Sequence, residues 1–285
     1  MNVNAYFQIG SSHKVCEDYA LSGLYEDMAY IIVSDGCSSS TDSDVGARIL
    51  SHIAKGVLIY LKGRDILLSE AFPDIFRELM LRKCLEVKTS LGLITDVFDA
   101  TLLISVVLGG KMVCLGWGDG YLALVDKNNT INFLEIKFSS GAPYYLSYEM
   151  NPSKKSAYQK EFGGGELCLT QCTLDSSGGM SNLVTKSSPI QYQHTLEIAD
   201  NITGLKCITL LSDGIDTYQD DPRFQHPEGK EKLKYKASEM VLPLVSYKST
   251  AGEFVIRRMQ RNKEDLDKKH ILHFDDVSCA TIVLD

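Results

Sequence analysis

Ala29-Tyr30-Ile31-Ile32-Val33-Ser34-Asp35-Gly36 and Cys207-Ile208-Thr209-Leu210-Leu211-Ser212-Asp213-Gly214 are the stretches on which the reading of this chain turns. Each is a short apolar run that closes on Ser-Asp-Gly. A run without polar alternation predicts a strand covered on both faces. A carboxylate at its end, followed by a glycine that lets the backbone approach closely, aims an oxygen ligand out of the sheet edge. A third Asp-Gly, Asp119-Gly120, follows Met112-Val113-Cys114-Leu115, and Asp275-Asp276 runs into the last apolar segment. So many carboxylates at strand ends suggest one metal site.

Asp-Gly is also the strongest short signal for a tight hairpin. Asp119-Gly120 fits that reading, with Leu115 to Trp117 before it and Tyr121 to Val125 after it. Asp35 and Asp213 fit it poorly, because a Ser/Thr-rich loop follows one and a polar, Pro-containing stretch follows the other.

The chain has 285 residues and a net charge of −8. No lysine or arginine stripe runs along an expected face, which excludes a nucleic-acid backbone as the natural partner. Arg257-Arg258 to Lys263, with Lys268-Lys269, alternates with acids and reads as a solvated helix face. Eight cysteines are scattered, several inside apolar runs, and Cys168-x-x-x-Cys172 lacks a second pair at zinc spacing. No apolar stretch approaches the ~20 residues that span a bilayer. The expectation is a cytoplasmic protein with reduced thiols and no membrane partner. No linker composition interrupts the sequence, so residues 1–285 are expected to form a single domain.

Strands are expected at Ala5 to Ile9, Met28 to Val33, Ala100 to Leu108, Met112 to Trp117, Tyr121 to Val125, Thr130 to Ile136, Leu167 to Leu174, Gln193 to Ile198, Lys206 to Leu211 and Ala280 to Leu284. The clearest helix starts near Ser43, where Val45, Ile49, Ile53 and Val57 recur every fourth residue. A second is expected from Ser69 to Val87, and two more at Lys234 to Ser246 and Thr250 to Asn262. Strands grouped between helical pairs indicate sheets sandwiched by helices, an α+β arrangement rather than an alternating parallel one.

Hard oxygen ligands without a histidine cluster select magnesium or manganese. In chain order stand Gly10-Ser11-Ser12-His13, Cys16-Glu17-Asp18, Ser34-Asp35-Gly36, Ser43-Asp44-Val45-Gly46-Ala47-Arg48, Ala100-Thr101-Leu102-Leu103, Gly118-Asp119-Gly120, Ser212-Asp213-Gly214 and Asp275-Asp276-Val277-Ser278. In order and spacing this set resembles the PPM, or type 2C, metal-dependent protein serine/threonine phosphatases, most closely a bacterial branch of them.

The resemblance implies a four-layer α-β-β-α sandwich with two central antiparallel sheets and two or three Mg2+ or Mn2+ ions at one edge. It implies hydrolysis of phosphoserine or phosphothreonine in a protein substrate, by direct attack of a water bridging the metals. A cognate serine/threonine kinase would then be a partner. Asp35 would bridge both metals and Gly36 would offer its carbonyl. Asp213 and Asp275 would hold the other ion, and Asp119 would join Asp213 at a third. Asp18, with Glu17, would orient the water. His13 and Lys14 stand where better-studied members have a phosphate-gripping arginine; either could replace it, and His13 could equally be an ordinary loop histidine. Cys37 stands where some relatives place a histidine. Thr101 reads as strand packing, and Asp276, next to Asp275 on an extended chain, should point away from the site. The segment 138–190 is expected to hold a flap. A pseudophosphatase acting as a binding module and a small phosphate-ester hydrolase are the competing readings.

Overall fold

The computed structural model describes residues 1–163, 165–189, 194–199, 201–224 and 233–284. In chain order these form β1 (Asn2–Gln8), β2 (Asp18–Tyr25), β3 (Met28–Asp35), α1 (Ser43–Lys62), α2 (Phe72–Leu91), β4 (Leu102–Leu108), β5 (Lys111–Trp117), β6 (Gly120–Asp126), β7 (Ile131–Phe138), α3 (Pro152–Phe162), β8 (Glu166–Leu174), β9 (Met180–Pro189), β10 (His194–Ala199), β11 (Leu205–Leu211), β12 (Tyr218–Asp220), α4 (Ala237–Val245), α5 (Phe254–Asp267), β13 (Ile271–His273) and β14 (Val277–Val283).

One sheet runs β1-β14-β11-β6-β7-β8-β9 and the other β10-β5-β4-β3-β2, every pairing antiparallel. Successive side chains of a strand face opposite ways, and here both faces are covered. Tyr30 and Ile32 of β3 join Leu50, Ala54 and Leu58 of α1 and Phe76 and Met80 of α2 in one apolar cluster. Ala29, Ile31 and Val33 of the same strand meet Leu122, Ile208, Leu210, Ala280 and Ile282 of the opposite sheet in a second. A third lies between that sheet and α4 and α5, built on Tyr121, Phe133, Leu211, Met240, Val241, Phe254 and Val255. The layers are therefore helices, sheet, sheet, helices, which explains why β3 and β11 read as unbroken apolar runs.

The hairpin expectation for Asp119-Gly120 fails for a topological reason. β5 and β6 lie in different sheets, so the pair carries the chain across the sandwich instead of reversing it within one ladder. Gly118 and Gly120 make the crossing at φ 85° and 133°, and the space of a Cβ on Gly120 is filled by Leu103 and the Leu211 carbonyl.

β2, β9 and α3 were not anticipated. α3 starts at Asn151-Pro152, where the Asn151 side chain accepts from the Ser153 and Lys154 amides, a cap without the apolar periodicity that would advertise a helix. β9 is exposed along nearly its whole length and is a strand because its backbone pairs with β8. The 138–190 interval thus contains β8, β9 and α3. Between β7 and α3 the chain is packed through Tyr144, Tyr145, Leu146 and Ser147, all buried. Gly164 of the glycine cluster, residue 190 at the end of the interval and Gln193 of the expected strand lie outside the described residues. The helices near residues 234 and 250 begin later than periodicity suggested, at Ala237 and Phe254.

Gly46 in α1 tests how tightly the helix seats. An exposed helical Gly→Ala change stabilises by about 1 kcal/mol. Here a Cβ would overlap the Val97 carbonyl. Gly46→Ala is expected instead to destabilise by about 1–3 kcal/mol, read from the urea midpoint.

Candidate metal centre

Antiparallel register brings the carboxylates together. Asp18 at the start of β2 is paired with Asp35 at the end of β3. In the other sheet Leu211, at the end of β11, lies between Tyr121 at the start of β6 and Cys279 near the start of β14. Asp213, Asp119 and Asp275 therefore leave that sheet at one edge. The two sets meet: Asp18 and Asp213 both act electrostatically on Asp35, and Asp213 also acts on Asp119 and Asp275.

Each member of Ser-Asp-Gly has a separate task. Ser34 Oγ donates to the Thr101 carbonyl at 2.6 Å, while Thr101 Oγ1 accepts the Asp35 amide at 2.9 Å and the Thr101 amide donates to the Asp35 carbonyl at 2.8 Å. Thr101 is therefore a clamp on the Asp35 backbone as well as strand packing. Ser212 Oγ donates to Asp18 Oδ2 at 2.6 Å and accepts the Ser278 amide at 2.9 Å, joining the two sheets beneath the site. The glycines give close approach: a Cβ on Gly214 would overlap the Asp276 carbonyl, and one on Gly36 would lie 2.8 Å from the Ser43 carbonyl.

Burial and mutual repulsion raise the carboxyl pKa values. Asp18 is pushed up to about 7, by burial first, against the lowering hydrogen bond from Ser212. Asp119 is also raised to about 7, by burial and then by Asp213. Burial, followed by the charges of Asp18 and Asp213, lifts Asp35 well above the carboxylate range. Burial and Asp213 raise Asp275. Asp18 Oδ1, Asp213 Oδ1 and Glu17 Oε2 are buried without a hydrogen-bond partner. Buried acidic oxygens that repel one another and lack donors fit hard divalent cations. Asp35, Asp213, Asp119, Asp275 and the Gly36 carbonyl are the groups placed to hold them.

The loop before β2 supplies a second cluster. Asp276 does not point away from the site: its carboxylate shares the His13 ring with that of Asp275, and it accepts the Gly10 amide at 2.6 Å and the Glu17 amide at 2.5 Å. His13 Nδ1 is 3.1 Å from Asp276 Oδ2 and 3.8 Å from Glu17 Oε2, and Nε2 is 3.3 Å from Asp275 Oδ1. Burial opposes the charged imidazole, but the Asp276 hydrogen bond and the three carboxylates outweigh it and raise its pKa. His13, Glu17 and Asp276 offer ligand atoms within 4.8 Å of one another, although both Asp276 oxygens are already accepting amides. The nearby lysines are committed too: Lys137 pairs with Asp216 at 2.6 Å and Glu135 at 2.7 Å, and Lys154 with Asp96 at 3.0 Å and with Asp99.

Residues 9–140 match the family model described as protein phosphatase 2C. The match covers just under half of the chain, and the matched segment carries Asp18, Asp35, Gly36 and Asp119. Among solved structures, an arginine-substituted bacterial serine phosphatase superposes with TM-score 0.54 at 10% identity, over 100% of this chain and 99% of that one. A serine/threonine phosphatase from Staphylococcus aureus gives 0.51 at 10% identity, over 100% and 96%. A sex-determining protein from C. elegans gives 0.50 at 16%, over 98% of this chain and 64% of its own. These likenesses show the PPM fold. No curated protein sequence matches the chain.

Because the folded state holds protons that the unfolded chain has lost, the raised carboxyls stabilise the metal-free fold below the ordinary carboxylate range, and this contribution is lost as pH rises through about 7. In calorimetry, metal-free protein should melt lower at about pH 8 than at about pH 5 in this respect, and added manganese should raise Tm far more at the higher pH. Equal manganese shifts at both pH values would show that these carboxylates hold no metal.

Proposed function

We propose that this protein is a PPM phosphatase that hydrolyses phosphoserine or phosphothreonine in protein substrates, using two Mg2+ or Mn2+ ions held by Asp35, the Gly36 carbonyl, Asp213 and Asp275, with a weaker third between Asp119 and Asp213. The observation behind this reading is the meeting of Asp18, Asp35, Asp119, Asp213 and Asp275 at one edge of two sheets, with the pKa values of Asp18, Asp35, Asp119 and Asp275 raised, a shift that added positive charge would reverse. Bound divalent cations would supply electrophilic stabilisation of the phosphoryl oxygens and an acidified water.

The chain's own residues do the rest. Asp18, fixed by Ser212, has a free Oδ1 to orient the attacking water. Glu17, whose Oε2 accepts no hydrogen bond and faces His13 at 3.8 Å, stands beside it. His13, whose charged form is favoured, is the cationic group closest to the Asp275 carboxylate and takes the phosphate-gripping place left without an arginine. We assign the whole of residues 1–285 to one phosphatase unit, since β1 and β14, the first and last strands, pair along their length. A flap within 138–190 would be limited to the turns around α3, β8 and β9. None of the eight cysteines forms a disulfide, which fits the reducing cytoplasm we propose for it; no described helix is long and apolar enough to cross a membrane. A phosphoprotein substrate implies a serine/threonine kinase that places the phosphate.

One observation favours a pseudophosphatase instead: His13, Lys137 and Lys154 are all already paired with carboxylates. The assay that separates the readings is turnover of a phosphothreonine peptide with and without manganese. Asp35→Asn and Asp213→Asn are each expected to lower kcat/KM at least ~100-fold, as for loss of a main electrostatic catalyst. Both should weaken manganese binding in calorimetric titration while the fold persists. Wild-type protein that binds manganese yet turns over nothing would establish the pseudophosphatase.

Asp119→Asn tests the third position. Asparagine would serve the sheet crossing as well as aspartate, so stability should hold while kcat falls and two tighter ions stay bound. Unchanged kcat across a manganese titration from micromolar to millimolar would leave Asp119 with the crossing alone.

A further inference from the structure

A phosphoester centre built of carboxylates accepts hydrogen bonds well and donates them badly. An alcohol leaving from phosphorus develops negative charge on its oxygen, and that oxygen needs a donor. Around the cluster the hydroxyls are mostly committed. Ser212 donates to Asp18, Ser34 to the Thr101 carbonyl, and Tyr121 to Asp216.

Tyr145 differs. It lies between β7 and α3, 7% exposed, with its hydroxyl beside the Cys37 thiol and in the electrostatic reach of Asp119 and Asp35. The thiol pairs with Ser39 Oγ at 3.2 Å and is a weak acceptor, so it does little to hold the Tyr145 hydroxyl. Its position is tied to the metal edge through the backbone. Ser147 Oγ donates to Asp99 Oδ1 at 2.5 Å, the Asp99 carbonyl accepts the Cys37 amide at 2.8 Å, and Gly36 bridges Ala100. Lys154 of α3 grips Asp99 as well, and the Tyr145 ring packs edge-on to Tyr148 with centroids 5.5 Å apart. The segment that presents Tyr145 is thus locked to the same strand ends that present Asp35.

We propose that Tyr145 is the hydrogen-bond donor to the departing serine or threonine oxygen of the substrate. The inference rests on the phosphatase reading of the carboxylate site. As the bridging P–O bond breaks and the bond from water oxygen to phosphorus forms, the attacking water gives up one proton and the leaving alcohol gains one. Tyr145 stays neutral throughout, turning its O–H to the bridging oxygen.

The test is Tyr145→Phe, which keeps the ring and its packing, read on two substrates and one unreactive ligand in the presence of manganese. For a phosphothreonine peptide, whose alkoxide is strongly basic, kcat/KM should fall roughly 100-fold, mostly in kcat, the scale of losing one donor to developing charge. For p-nitrophenyl phosphate, whose phenolate leaves without help, the change should stay below about threefold. A peptide phosphonate with a methylene in place of the bridging oxygen should bind wild type and variant equally in calorimetric titration.

Equal losses on both substrates, or weakened phosphonate binding that matches the loss in turnover, would make Tyr145 a positioning or structural residue and overturn the proposal. So would a variant indistinguishable from wild type on both substrates. Wild-type protein inactive on both would overturn the phosphatase reading, and this assignment with it. The first two failures leave p-nitrophenyl phosphate turnover by wild type intact, so the cases are distinct.

Discussion

The structure is organised around the repulsion among five carboxylates that meet at one edge, Asp18 buried and the other four half-buried. Asp18 and Asp35 come from one sheet, and Asp119, Asp213 and Asp275 from the other. Without added positive charge they must share or gain protons, and burial sharpens the cost of leaving them ionised. Holding such groups together requires rigid backbone on every side. The Ser34–Thr101–Asp35 hydrogen bonds and the Ser212 bridge from Asp18 to Ser278 supply it. The two glycines allow neighbouring backbone to close in where a side chain would hold it off. Ser-Asp-Gly is therefore a compact unit of clamp, ligand and clearance.

The fold was largely legible because its strands carry a strong physical signal. A sheet covered by helices on one face and by a second sheet on the other needs apolar residues in succession, and β3, β4, β5 and β11 are written that way. β2 was hidden by Ser22-Gly23 and by its exposed tail at Leu24 and Tyr25. β9 was hidden by its polarity, since only ladder hydrogen bonds to β8 make it a strand. The Asp119 crossing was misread because the turn signal of Asp-Gly describes local backbone freedom. Which sheet receives the next strand is decided by tertiary packing, in this case of β6 between β11 and β7.

The acidic residues were legible for the opposite reason: strand ends close in space are also motif ends in sequence. Their supports were not. Thr101, Ser212 and Tyr145 act through partners 66, 194 and about a hundred residues away, and no local spacing encodes such pairs. Asp276 was not readable from the divergence of adjacent side chains, because the loop that carries His13 and Glu17 folds over both carboxylates and is fixed by the two amides Asp276 accepts.

The commitment of His13, Lys137 and Lys154 to carboxylates changes how this site must handle charge. A phosphate dianion entering beside His13, Lys137 and Lys154 meets positive groups that carboxylates already neutralise. Most of its attraction must then come from the metal edge itself. The same arrangement couples affinity to stability: the Ser212 hydroxyl that orients Asp18 also joins the sheets, so loosening the site loosens the sandwich. A chain built this way gains rigidity at the carboxylates, and it leaves the choice of leaving group to neutral donors such as Tyr145, presented from a segment outside the two sheets.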